Sequence, residues 1–166
     1  CGEFVYFIRF PADEASEIYY YDNGNLLRIT NNDDSDSYAD INDKGTIVWV
    51  HKYDGLGNGE IWIRRADELS FKVGEGSSVC INNNEQVVWD HPRFASCASE
   101  SSIFYFDGVT TTEIVADGFS NQSAKLNDLG QVVWTKYVFD CSPSNWTSLI
   151  RMYDHGVIID LPTTQT

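Results

Sequence analysis

The sequence predicts an all-β protein built from about four copies of a four-stranded unit. Three observations predict it. A ten-residue phrase recurs as INDKGTIVWV (41–50), INNNEQVVWD (81–90) and LNDLGQVVWT (126–135), at offsets of 40 and 45 residues. A second marker keeps step with it: EIYYYD (17–22), EIWIRR (60–65), SIFYFD (102–107) and LIRMYD (149–154). Finally, the apolar residues fall in short β-branched and aromatic runs, and no window shows a 3.6-residue stripe, so helix should be nearly absent. A period in the low forties signals a solenoid, an array or a propeller, whose units bury their apolar faces only against one another.

The elements follow in order. GEFVYFIRF at the start matches GTIVWVHKY at 45–53, so the first unit opens on what is elsewhere the second strand. The first complete unit holds SYADIN, TIVWVHKY, EIWIRR and LSFKV, separated by turn signals. The units are expected at about 1–30, 36–73, 78–115 and 122–161, with 162–166 as a tail. Ile47-Val48-Trp49-Val50 is apolar on both strand faces, as expected for a sheet covered on both sides. Asn42-Asp43-Lys44-Gly45 and Asn127-Asp128-Leu129-Gly130 fit a type I turn closed by a left-handed glycine. The middle copy, Asn82-Asn83-Asn84-Glu85, lacks the glycine. A left-handed Glu costs on the order of 1 kcal/mol, so a different turn is expected there, with Asn84 left-handed.

The stretch EIYYYDNGNLLRITNNDDSDSYADINDKGTIVWVHKYDGLGNGEIWI (17–63) resembles the TolB-type, WD-like propeller repeat. That repeat runs from an "eIY" strand through an acidic linker and a turn-and-strand signature to a "DG" hairpin and the next "eIY". The departure is in the turn, where the family has Ser-Pro-Asp-Gly and this chain has the longer Ile-Asn-Asp-Lys-Gly. The resemblance implies a β-propeller of about four four-stranded blades, with SYADIN an inner strand and LSFKV an outer one. By that order the first blade lacks its inner strand. An unfilled strand position leaves a row of backbone donors and acceptors that templates pairing. LPTTQT closing its own ring, a neighbouring copy filling the gap head-to-tail, and further blades of a larger propeller all remain open. Cys1, Thr163, Thr164, Gln165 and Thr166 flank the gap and are the expected assembly residues. Fold does not carry function with it, because propellers host many activities.

Composition narrows the function classes. The 166 residues carry a formal net charge of -14, with a pI near 4.3. Such a surface repels phosphate backbones and anionic lipid, so neither nucleic acid nor membrane is an expected partner. No apolar stretch approaches the roughly 20 residues needed to span a bilayer. Scarce lysine, with plentiful Asn, Ser, Thr and Tyr, matches secreted proteins. The chain starts on Cys1 rather than Met, and is read as a mature form or a piece of a longer chain.

Four cysteines allow three pairings. Cys97 and Cys141 occupy matching loops of successive units, 16 and 15 residues after Ile81 and Leu126, so Cys97–Cys141 is the expected bridge. Cys80, in an apolar strand, reads as a buried thiol. Asp33, Asp34 and Asp36 put hard oxygens in one loop, as calcium prefers; the plain alternative is a solvated acidic linker. Asn121 and Asn145 head N-x-S/T acceptors in expected loops. Trp49, Trp89 and Trp134, with Tyr6 as a fourth copy, read as packing between units. Trp146, in an expected loop, is the candidate ligand contact. His51 and His91 each follow the repeated Trp by two residues, and repetition alone explains them. No nucleophile elbow or zinc-protease motif occurs.

The expected function is therefore non-enzymatic: an extracellular scaffold module that associates with copies of itself by strand complementation. A glycan-binding, lectin-like propeller and a fragment of a larger propeller enzyme are the rivals.

Overall fold

The computed structural model describes residues 4–9, 15–52, 59–66, 68–94, 99–139 and 146–162. Among them there is no helix, and the fold is all-β, in several sheets of which none closes on itself. Among the described residues, fifteen strands form four consecutive antiparallel units. Unit 1 is β1 (Phe4–Arg9), β2 (Ser16–Asp22) and β3 (Asn25–Arg28). Unit 2 is β4 (Ser37–Ile41), β5 (Ile47–His51), β6 (Glu60–Arg64) and β7 (Phe71–Glu75). Unit 3 is β8 (Ser77–Ile81), β9 (Val87–Phe94), β10 (Ser99–Phe106) and β11 (Thr111–Val115). Unit 4 is β12 (Ser120–Leu126), β13 (Val132–Phe139), β14 (Trp146–Asp154) and β15 (Val157–Leu161). One parallel pair, Ser101↔Ser120, merges units 3 and 4 into an eight-stranded sheet.

The double-sided apolar strands explain the stacking. In unit 2 one face carries Ile47, Trp49 and, across the ladder, Trp62; the other carries Val48, Val50, Ile61 and Ile63. The tryptophan face packs on Val5, Ile18 and Tyr20 of unit 1. The valine face packs on Val87, Trp89 and Phe106 of unit 3. Val88 and Ile103, on the far side of unit 3, meet Val132 and Trp134 of unit 4. The rule repeats three times: the valine face of one unit receives the tryptophan face of the next. Each fully buried large side chain contributes roughly 1.5–3 kcal/mol, and every core cluster is shared between neighbouring units.

The recurring Asn-led phrase links the units as well as turning the chain. The Oδ1 of Asn42 accepts from the amides of Lys44 and Thr46, both at 3.0 Å, and so caps its own turn. Its Nδ2 donates to the carbonyl of Asn82, 40 residues on, at 3.0 Å. Asn82 does the same, capping Asn84 and Gln86 and reaching the carbonyl of Asn127 at 2.8 Å. A second rail runs beside this one, from the Asp43 amide to Asn83 Oδ1 and from the Asn83 amide to Asp128 Oδ1, each 2.9 Å. This ladder is the physical reason the chain repeats the phrase.

The middle turn corrects the sequence expectation. Glu85 itself is left-handed, at φ +62°, and its amide bonds the Asn82 carbonyl at 3.1 Å, as Gly45 and Gly130 bond theirs at 3.0 Å. The ladder imposes one turn geometry on all three copies. The strain at Glu85 is offset by its carboxylate, which takes the Arg65 guanidinium at 2.6 Å.

Candidate functional site

The stacking rule leaves one face uncovered at each end. In unit 4, Val133 stands where Val48 and Val88 stand in units 2 and 3. Those two are fully buried, whereas Val133 is 37% exposed. The register places Val133 beside Met152 and Ile159, and Thr135 beside Ile150 and Leu161, on the same face. Ile150, Val157 and Ile159 of that face are all exposed, Val157 by 58%. In unit 1, Tyr6 stands where Trp49, Trp89 and Trp134 stand. The three tryptophans are at most 3% exposed and Tyr6 is 38% exposed. Phe4, Tyr21 and Leu26 share its face through the pairs Phe4↔Tyr21 and Tyr21↔Leu26, and all three are exposed. Unit 4 thus presents a valine-type face and unit 1 a tryptophan-type face, the two halves of the contact made three times inside.

Two polar devices stop at the same ends. The Asn ladder has no rung beyond Asn127, whose Nδ2 turns to Gln131 of its own hairpin at 2.9 Å. The backbone latch between units also stops. The Asp36 amide donates to the Ser16 carbonyl at 2.7 Å, the Gly76 amide to Gly59 at 2.9 Å, and the Ser101 amide to Phe119 at 3.1 Å. Ser148, which pairs with Tyr137 as Ser101 pairs with Pro92, occupies the next position and is exposed. At the other end, β1 is hydrogen-bonded to β2 alone among the described strands, and none of them pairs with its second edge.

The first strands of units 2 to 4 line a groove of about 320 Å³, with Tyr38, Asp40, Ser78, Ser123 and Lys125 in its wall. Tyr38, Ser78 and Ser123 are left-handed at equivalent bulges, with φ between +50° and +59°. Beside this groove Asp90 is buried. Burial raises its carboxyl from 3.8 to about 6, against a Ser77 hydroxyl that donates to it at 3.1 Å.

The residues singled out in the sequence land as follows. Asp33, Asp34 and Asp36 do not gather round a common point. Asp36 is fully buried and accepts from His51 Nδ1 at 2.7 Å and from Asn32 Nδ2 at 2.9 Å, while Asp34 lies 3.7 Å from His51 Nε2. Among the described residues, no three His, Cys, Asp or Glu side chains converge as a metal site. The expected exposed loop at Asn121 is corrected. Asn121 lies in β12, fully buried, with Nδ2 on the Ser101 carbonyl at 3.0 Å and Oδ1 on the Trp134 indole at 2.9 Å. A glycan on that nitrogen has no room in this fold. The Asn-x-Ser pattern cannot reveal this, because it ignores strand register. Trp146, expected in a loop, is the first residue of β14. Cys80 is buried and unbridged, as expected, and burial raises its thiol pKa. Cys1, Cys97, Cys141, Asn145, Thr163, Thr164, Gln165 and Thr166 lie outside the described residues. Comparison with protein-family models, with curated proteins and with solved structures returns no match.

Proposed function

We propose that this chain is a non-enzymatic structural module, a four-blade β-propeller repeat that joins head-to-tail to further copies of itself. The observation that carries the reading is the pair of uncovered faces. Unit 4 exposes the valine-type half, and unit 1 the tryptophan-type half, of a contact that recurs between every pair of neighbouring units. Each half is the same surface a unit uses to hold its neighbour, so a second copy fits by the rule that builds the first. The edge of β1 that no described strand pairs with, where a first strand stands in the other units, accepts a strand from the same neighbour. The Asn127 rung and the Ser148 latch point the same way. A face that meets a different face generates rings or open filaments rather than a two-fold dimer. The acidic, lysine-poor composition and the scattered cysteines favour an extracellular setting.

Paired one-ended variants test the reading. Ile159→Lys blocks the unit 4 face and Phe4→Lys blocks the unit 1 face. Each variant alone should run as a monomer in gel filtration with light scattering. Mixed in equal amounts, they should form a heterodimer through the remaining intact pair of faces. If both variants and their mixture elute like the unaltered chain, end-to-end stacking is refuted. A monomeric unaltered chain would turn the reading to faces covered by further blades of a longer protein.

A further inference from the structure

From the place where unit 2 departs from the repeat, we infer a binding site for a small monocarboxylate with an apolar body. A cavity of about 300 Å³ opens beside the Asn42 turn, lined by Tyr20, Leu27 and Ile29 of unit 1 and by Lys44, Ile47 and Arg64 of unit 2. That volume stands at the lower end of the ~300–1,000 Å³ of small-molecule pockets.

The cavity opens where an aromatic plug is missing. Arg64 pairs with Ile47 in the register, so both side chains leave their strands on the face that turns toward unit 1. The position of Arg64 is Phe106 in unit 3 and Tyr153 in unit 4. Phe106 is 5% exposed in the core between units 2 and 3, and Tyr153 packs on the core between units 3 and 4. Arg64 is half-buried in their place. Leu27 pairs with Tyr20 and so shares its face toward unit 2, yet it is 53% exposed. A ligand with an aromatic or branched aliphatic body covers this apolar wall as a phenyl ring does elsewhere in the chain.

Charge specifies the other end of the ligand. The chain has 11 Lys and Arg against 25 Asp and Glu. Arg28, Lys72, Arg93, Lys136 and Arg151 each hold a carboxylate at 2.9 Å or closer. Lys44 and Arg64 hold none among the described residues, and both line this one cavity. The cations arise by substitutions confined to unit 2. Lys44 stands where units 3 and 4 have Asn84 and Leu129, and Arg65 where the other three units have Asp22, Asp107 and Asp154. Arg65 is committed to Glu85 at 2.6 Å, so Lys44 and Arg64 are the donors left for a ligand. A guanidinium matches a carboxylate with two parallel hydrogen bonds. The net charge of -14 opposes a dianion such as phosphate more than a single carboxylate, and phosphate brings no apolar body. A neutral ligand leaves both cations without a counter-charge. Tyr20 and Leu27 lie on the opposite face of unit 1 from Tyr21 and Leu26, so binding is independent of end-to-end stacking.

The test is a nuclear magnetic resonance titration of the intact chain, labelled with nitrogen-15. The probes are 3-phenylpropionate, 4-methylpentanoate, the neutral amide of each, and inorganic phosphate. The expected result is that at least one acid moves the backbone amide peaks of Gly45, Ile47 and Ala66 saturably, while its amide and phosphate at the same concentrations leave them in place. Arg64→Met keeps an apolar stem and removes the charge, and should raise the Kd roughly tenfold. Arg64→Phe restores the plug of unit 3 and should abolish the shifts. Lys44→Asn places the residue of unit 3 in an exposed turn and should raise the Kd about threefold. Lys125→Ala, in the separate groove of β4, β8 and β12, is the control and should change nothing. No saturable movement with either acid, or equal affinity for the neutral amide or for phosphate, overturns the inference. Unchanged affinity in Arg64→Met or in Lys44→Asn overturns it equally.

Discussion

Replacing Asn82 with Ala removes a rung from the ladder that ties unit 3 to units 2 and 4. The side chain is nearly fully buried and holds three groups in part-buried hydrogen bonds: the amides of Asn84 and Gln86, and the carbonyl of Asn127. Leaving buried polar groups unpaired costs about 1–3 kcal/mol each, and partial relaxation recovers some of it. The expected loss is therefore about 3 kcal/mol. Asn127→Ala is the internal comparison. Asn127 caps the same turn through Leu129 and Gln131, but it is exposed and its Nδ2 stays within its own hairpin. Solvent replaces those contacts, so the expected loss is about 1 kcal/mol. Urea unfolding of the three proteins reads the difference, with unchanged m-values showing that the unfolded states are comparable. Equal losses in the two variants would refute the idea that the repeated asparagine couples units, and would leave it only a turn cap.

Two further outcomes follow from buried polar groups. The Asp90 carboxyl sits at about 6 in the folded chain, above its ordinary 3.8, so the native state binds the extra proton. Stability therefore falls as pH rises from about 4 to above 6, by about 3 kcal/mol for this group. In Asp90→Asn that dependence disappears: relative to the unaltered chain, the variant should gain roughly that amount between pH 4 and pH 8, and a constant gap would contradict it. Asn121→Ala strips the partner of Trp134 and the bond to the Ser101 carbonyl, so unfolding in urea should show a loss of about 3 kcal/mol. A neutral substitution there would return Asn121 to the list of surface acceptors.

The repeat and its strands were legible because they rest on local chemistry. Ile47 to Val50 reads as doubly covered, and all four side chains are buried. The turn at 82–85 was not legible, because the cost of a left-handed Glu85 is local while the force that holds it comes from turns 40 and 45 residues away. Asn121 was misplaced for a similar reason. The sequon is a three-residue pattern, whereas burial follows from the strand pair Asn121↔Lys136. The acidic stretch at 31–37 concealed its structural role, since nothing in NNDDSDS says that Asp36 turns inward to His51. The uncovered faces follow from the repeat but are invisible in any one unit, where Val133 looks like Val48 and Tyr6 looks like Trp49.

Sedimentation velocity of the unaltered chain across a wide concentration range measures the central claim directly. Head-to-tail stacking of the unit 4 face on the unit 1 face predicts a boundary that moves faster than the monomer's as concentration rises, levelling off for a closed ring and continuing to rise for an open filament, and this growth should vanish in Ile159→Lys. One monomer boundary at every concentration would contradict the account.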